Sequence, residues 1–85
     1  MAEMAGKTFC PHAWTSDILT AASLHLNSWA RNPLFQEFCV NDSPTCRDLC
    51  LHPIRLDADG TLDVPDGPGL GVELDEEVLR RYRIN

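Results

Sequence analysis

The sequence predicts an α/β fold: a strand, a helix and a second strand, followed by a β-hairpin and a short final helix. Two observations carry the strand–helix–strand reading. A β-prone run at residues 8–11 and a second apolar run at Leu34–Val40 flank a helix-period pattern between them. Strand, helix, strand in that order implies parallel strands in a covered sheet.

Thr8-Phe9-Cys10-Pro11 reads as the end of a strand closed by proline. Thr15-Ser16-Asp17 is a polar break that starts a helix, with Thr15 or Ser16 as N-cap and Asp17 at the positive end of the dipole. Ile18, Ala22, Leu26 and Trp29 then line one helical face, and Pro33 stops the helix by residue 31 or 32. Leu34–Val40 is the second strand, apolar except at Gln36 and Glu37. After Ser43-Pro44 a short helix is expected near Thr45 to Leu51.

Ile54–Val64 reads as a hairpin around Asp59-Gly60. A three-residue loop, Ala58-Asp59-Gly60 with Gly60 left-handed, places Ile54, Leu56, Leu62 and Val64 on one face, and that register is preferred. Pro65–Gly71 is a Gly/Pro loop. The final helix is capped by Asp75, with a Leu74–Leu79 staple and the pairs Glu76–Arg80 and Glu77–Arg81 at i, i+4.

Eighty-five residues allow one small domain or a piece of a larger one, with a marginal core. The net charge of −6 argues against nucleic acid or an anionic membrane as partner. No apolar run is long enough to span a bilayer, and Met1–Lys7 lacks the pattern of a signal peptide, so a cytoplasmic location is expected. Cys10, Cys39, Cys46 and Cys50 fit neither a disulfide framework nor a firm zinc spacing, and are read as free, buried thiols.

Two residues invite a chemical reading. His12 leaves the first strand just before a helix, at the sheet edge where α/β folds place their chemistry. It suits a general base, or a histidine that merely hydrogen-bonds near a helix start. Glu37 is a carboxylate in an apolar strand, which implies a catalytic or anion-binding role, or else an edge strand with Glu37 facing water. Gly67, Gly69 and Gly71 lack nucleotide-loop spacing, His25 and His52 have no partner pattern, and Asp57, Asp59 and Asp63 fit a solvated turn better than a calcium loop.

Pro11-His12-Ala13-Trp14, the helix TSDILTAASLHL, the strand Leu34–Phe38 and the run VPDGPGLGVELDEEVLRRYRI together resemble the mandelate racemase/muconate-lactonizing branch of the enolase superfamily, acid-sugar dehydratase or racemase type. The resemblance runs from about residue 2 to the end. It implies the C-terminal fragment of a TIM-like barrel: Thr8–Pro11 as the seventh strand, residues 15–31 its helix and Leu34–Phe38 the eighth strand, with Ala2–Ala5 ending the sixth helix. Residues 1–40 would close the barrel, and residues 41–85 would be a tail returning to the capping domain, not a complete domain.

By the same resemblance, the parent enzyme abstracts the proton alpha to a carboxylate while Mg²⁺ holds the enediolate. His12 would be a base, and Glu37 would hydrogen-bond the carboxylate or enediolate. The metal carboxylates, the aspartate that orients the histidine and the lysine base belong to strands outside this chain. The isolated chain is therefore expected to be inactive, its partners being the remaining barrel, the capping domain and a carboxylate substrate. A complementing subunit of a split barrel and a non-catalytic interaction module are the alternatives. Asp17 stands where relatives often carry glycine, as a tolerated first-turn acid or one that crowds the site mouth.

Overall fold

A computed structural model describes residues 1–85. Its elements, in order, are a 3₁₀ turn at Glu3–Ala5, α1 at Asp17–Trp29, α2 at Pro44–Arg47 and α3 at Glu76–Tyr82. Everything else is turn or extended chain.

Helix α1 starts after Ser16, whose backbone is extended and whose carbonyl accepts the Thr20 amide at 3.0 Å. The Ser16 side chain makes no capping bond. The helix ends at Trp29, earlier than the expected 31, because Ala30 already turns extended (φ −66°, ψ 139°) on the approach to Asn32-Pro33.

The expected apolar stripe is not the face this chain buries. The buried positions are Asp17, Thr20, Ala21, Ser23, Leu24 and Asn27, whereas Trp29 is 76% exposed and Leu26 is also open. The small, partly polar face lets the tail approach closely. Ala21 and Leu24 pack with Ile54, and Phe38, Leu62 and Val72 close around them. Of the expected stripe, Ile18 and Ala22 are half-buried, and Leu26 and Trp29 line an open groove with Met1 and Phe9.

Neither expected barrel strand forms a ladder. Phe9 and Pro33 make a single parallel bridge. The Phe9 amide donates to the Asn32 carbonyl at 3.1 Å, and the Leu34 amide to the Phe9 carbonyl at 2.8 Å. Pairing goes no further, so the segment at Leu34–Phe38 is extended chain rather than strand. The physical reason is the lack of a second neighbour on either side: parallel strands are stable when covered on both faces, and here Leu34 and Phe35 remain more than half exposed.

The hairpin reduces to its turn. The Asp57 amide donates to the Thr61 carbonyl at 2.9 Å across Ala58-Asp59-Gly60, and Gly60 is left-handed at φ 83°. Asp59 Oδ1 accepts from the Thr61 amide and hydroxyl at 3.1 and 2.7 Å, bonds that hold the Asp59 carboxyl below the ordinary carboxylate range. No ladder follows. Ile54 is buried and Leu62 half-buried, but Leu56 is 50% exposed and Val64 is also open, so the four side chains do not share one covered face.

The loop beyond it depends on Gly71. At φ 73° it adopts a conformation that side chains disfavour, and a Cβ there would lie 2.6 Å from Pro65 Cβ. His25 Nε2 of α1 lies 3.1 Å from the Leu70 carbonyl, which fixes this loop to the helix.

Helix α2 is one turn with Pro44 at its start, shorter than the expected Thr45–Leu51. An antiparallel bridge between Cys50 and Leu74 then aligns the chain entering α3. Asp75 caps α3, its Oδ1 accepting from the Glu77 and Val78 amides at 2.9 and 3.2 Å. The Glu76–Arg80 carboxylate pair does not form, because the Arg80 guanidinium donates to the Glu76 backbone carbonyl at 3.1 Å instead. Nor does Glu77–Arg81: Arg81 lies over the Tyr82 ring, 5.7 Å from its centre.

Ten of 85 residues are buried, and the accessible surface is 6429 Å². A folded monomer of this mass exposes roughly 5,000 Å². The radius of gyration, 14.2 Å, likewise exceeds the roughly 12 Å of a compact chain this long. The core is one helix face against a loop-rich tail.

Candidate functional site

The site forms where the chain leaves its two extended segments. Pro11 restricts the backbone just before His12, and Ala13 next to it is fully buried, which pins the peptide that carries the imidazole. Twenty-five residues later Glu37 arrives alongside. His12 Nδ1 lies 2.6 Å from Glu37 Oε2, and the same oxygen accepts the Ala13 amide at 2.5 Å. The two residues singled out from the sequence are in contact. The imidazole is open to solvent, with 78% of its side chain exposed, whereas the Glu37 side chain is 33% exposed. Glu37 is thus neither sealed in a strand nor fully facing water.

This geometry sets what the pair can do. An ionised Glu37 accepts Nδ1–H, and that bond leaves the His12 Nε2 lone pair free. The pair can accept one proton at Nε2 while Glu37 stabilises the imidazolium that results. Glu37 Oε1 makes neither of these bonds and can accept one from another donor.

A polar relay from α1 sets the height of Glu37. Asn27 Nδ2 donates to the Phe35 carbonyl at 3.1 Å and to Gln36 Oε1 at 2.9 Å, and Gln36 Nε2 donates to the Glu37 carbonyl at 2.8 Å. Asn27 Oδ1 is buried without a partner. Sequence reading missed Asn27 and the role of Gln36. The available signal was the polar row Thr20, Ser23, Asn27, spaced by three and four along a helix whose apolar residues drew attention to the other side.

Asp17 is the first-turn acid expected of it, and it has a further role in holding the tail. It is buried, and its Oδ2 accepts the Ile54 amide at 3.0 Å. Burial pushes its carboxyl above the ordinary range, opposed by the Ile54 bond and by the charges of Arg55 and Arg47.

The remaining candidates stay apart. His25 serves the Leu70 carbonyl, and Asp57, Asp59 and Asp63 are exposed around the turn. The four thiols are free. Cys39 and Cys50 are buried as expected, but Cys10 is exposed and Cys46 only half-buried. No three His, Cys, Asp or Glu side chains converge as they would around a metal ion. The residues of this chain do not by themselves make a magnesium cradle. No helix is long and apolar enough to cross a membrane.

Comparison with known proteins places this geometry in context. Residues 1–78 match the family described as enolase C-terminal domain-like. A D-galactonate dehydratase family member of Oceanicola granulosus is 43% identical over 67 residues, covering 79% of this chain and 16% of its own length. The D-galactonate dehydratase of Xanthomonas euvesicatoria pv. vesicatoria is 33% identical over 90 residues, and the D-galactarolactone cycloisomerase of Agrobacterium fabrum 27% over 92. Each of those two alignments covers 24% of the relative and at least 99% of this chain. The chain thus spans between 16% and 24% of the length of these relatives. With a match across residues 1–78, the chain belongs to the enolase C-terminal domain-like family and is related to acid-sugar dehydratases of the enolase superfamily.

Proposed function

We propose that this chain supplies the proton-transfer pair His12–Glu37 to an enolase-superfamily enzyme that removes the proton alpha to the carboxylate of an acid sugar. The observation that carries the reading is the 2.6 Å contact between His12 Nδ1 and Glu37 Oε2, formed by residues 25 apart in sequence at the ends of two extended segments. His12 Nε2 takes the proton. Glu37 holds the imidazole tautomer through Oε2 and, when it carries a proton on Oε1, donates that proton's hydrogen bond to the substrate carboxylate or its enediolate. The magnesium of the parent enzyme, the rest of the barrel and the capping domain come from outside these residues. The chain alone is inactive in this reading.

A complementing role is favoured over an autonomous interaction module by the open apolar surface. Trp29, Leu34, Phe35 and Val40 are each more than half exposed, and Leu34 directly follows the Phe9–Pro33 bridge. That surface fits docking against further barrel strands.

The test is a chimera in which residues 1–78 replace the corresponding segment of the Xanthomonas D-galactonate dehydratase. Incubation with galactonate and Mg²⁺ in D₂O reports formation of the keto product and deuterium uptake at the carbon beside its ketone, where the enol is protonated. We expect both in the chimera, and loss of at least about a hundredfold in the His12→Asn form. A folded, metal-loaded chimera whose activity survives His12→Asn would refute the assignment.

A further inference from the structure

We propose that Cys39 and Cys46 are a redox modification site, joined as a disulfide by a peroxide oxidant. Their sulfurs lie 3.5 Å apart in the reduced chain. A disulfide needs about 2 Å, so closure takes a shift of roughly 1.5 Å, within the reach of side-chain rotation.

The loop between them is already bent to hold this approach. Arg47 closes it from the far side, donating through Nε to the Asn41 carbonyl and through Nη2 to the Val40 carbonyl, both at 3.2 Å, and meeting Asp42 at 3.4 Å. The Cys46 and Arg47 amides both donate to the Ser43 carbonyl, which sets the α2 turn carrying Cys46. Cys46 Sγ also lies 3.6 Å from the Trp14 carbonyl and 3.4 Å from the Thr15 carbonyl. The pair therefore sits between the chain leaving His12 and the chain leaving Glu37. The other two thiols have no such partner among the contacts of the fold.

The two sulfurs differ in the way an attacking and a resolving thiol must. Cys46 is half-buried and reachable by a small oxidant, whereas Cys39 is 7% exposed. Burial pushes the Cys39 thiol up, so Cys46 is the one to react first. The Cys46 thiolate attacks one peroxide oxygen, the O–O bond breaks, and hydroxide leaves with the proton Cys46 gave up, as water. Cys46 is now a sulfenic acid. Cys39 sulfur attacks the sulfenic sulfur, the S–O bond breaks, and a second water departs with the Cys39 proton. Two thiols lose two electrons in total, and one peroxide becomes two waters. The proposal rests on the thiol geometry and not on the chemistry assigned to His12 and Glu37.

Trypsin provides a direct test. Cleavage after Arg31 and Arg47 places Cys39 and Cys46 together in the peptide 32–47, while Cys10 and Cys50 fall in separate peptides. The intact chain is treated with equimolar hydrogen peroxide, once in buffer and once in concentrated urea, and both samples are then alkylated in urea, digested and weighed. In buffer, peptide 32–47 should lose the mass of two hydrogens and take no alkyl group, while Cys10 and Cys50 alkylate fully. Pairing in buffer should outrun pairing in urea by at least about tenfold, because the fold holds the sulfurs together. Four outcomes overturn the proposal: both thiols alkylating, Cys46 advancing to sulfinic acid, cross-links to the Cys10 or Cys50 peptides, or equal rates in buffer and urea.

Discussion

Asp17 at the start of α1 accepts the backbone amide of Ile54, 37 residues away, at 3.0 Å, and both residues are buried. This bond ties the tail to the helix at the edge of the small core that Ala21, Leu24 and Ile54 form. Removing the acceptor leaves a buried N–H unpaired, a cost of about 1–3 kcal/mol. In Asp17→Ala the Ile54 amide should therefore lose roughly ten- to hundredfold of its protection against hydrogen exchange. Unchanged exchange at Ile54 would mean that the tail is held by packing alone.

The same carboxyl makes a pH prediction. Its folded-state pKa is raised by burial, so the folded chain binds the proton more tightly than the unfolded chain. The stability linked to Asp17 is then present below the unfolded value of 3.8 and is lost as pH rises through the raised folded value. Ile54 protection should decline over that window in the native chain and stay flat in Asp17→Asn, where position 17 no longer titrates. A parallel decline in Asp17→Asn would assign the effect to another group.

What could be read from the sequence was the local part. Asp75 sits within three residues of the amides it caps, and Gly60 within three of the bond its turn closes, so propensity and turn chemistry sufficed there. Helix α1 followed from periodicity, but its buried face did not. Apolarity pointed to Ile18, Ala22, Leu26 and Trp29, whereas this chain buries Asp17, Thr20, Ala21, Ser23, Leu24 and Asn27. His12 stood out by its place at the end of the first expected strand and Glu37 as a carboxylate in an apolar run, and the geometry puts them in contact. The reach of Asp17 to Ile54, the Asn27 relay and the Cys39–Cys46 approach depend on chain reversals of seven to 37 residues that no local pattern encodes. The strands fall short for a related reason: a ladder needs a neighbour across it, and the neighbours are not in these residues.

Gly71 separates conformational freedom from space. At φ 73°, and with Pro65 Cβ only 2.6 Å from where its own Cβ would stand, it has neither the backbone nor the room for alanine. Gly71→Ala should cost about 1–3 kcal/mol locally and release the loop, seen as altered amide shifts at the non-proline residues from Asp66 to Val72 and loss of the His25–Leu70 contact. Gly60 has a similar φ but open space around it, so Gly60→Asn should perturb only its own turn. Equal disruption from both would put the cost in φ alone.

With ten buried residues and an oversized surface, the isolated chain should unfold without a sharp transition. Urea titration followed by circular dichroism, with mass from light scattering, should give a shallow curve and association at higher concentration through the Leu26–Trp29 groove and the Leu34–Phe35 segment. A steep transition from a defined monomer would contradict this and would make the chain an autonomous module.

The His12–Glu37 contact predicts a tautomer. With Glu37 ionised, its Oε2 accepts from Nδ1, so the neutral imidazole should carry its proton on Nδ1 and present a bare Nε2. Long-range ¹H–¹⁵N correlation spectra of the side chain distinguish the two nitrogens directly. Glu37→Gln can keep an acceptor at the same place and should largely retain that tautomer, while Glu37→Ala should shift it toward the Nε2–H form that free imidazoles favour. Glu37→Ala also strips the Ala13 amide of its partner, so the His12-Ala13 peptide should exchange faster in that variant alone. If His12 carries its proton on Nε2 in the native chain, the base proposed for the enzyme points its lone pair at Glu37 instead of at substrate, and the assignment of His12 as the proton acceptor falls with it.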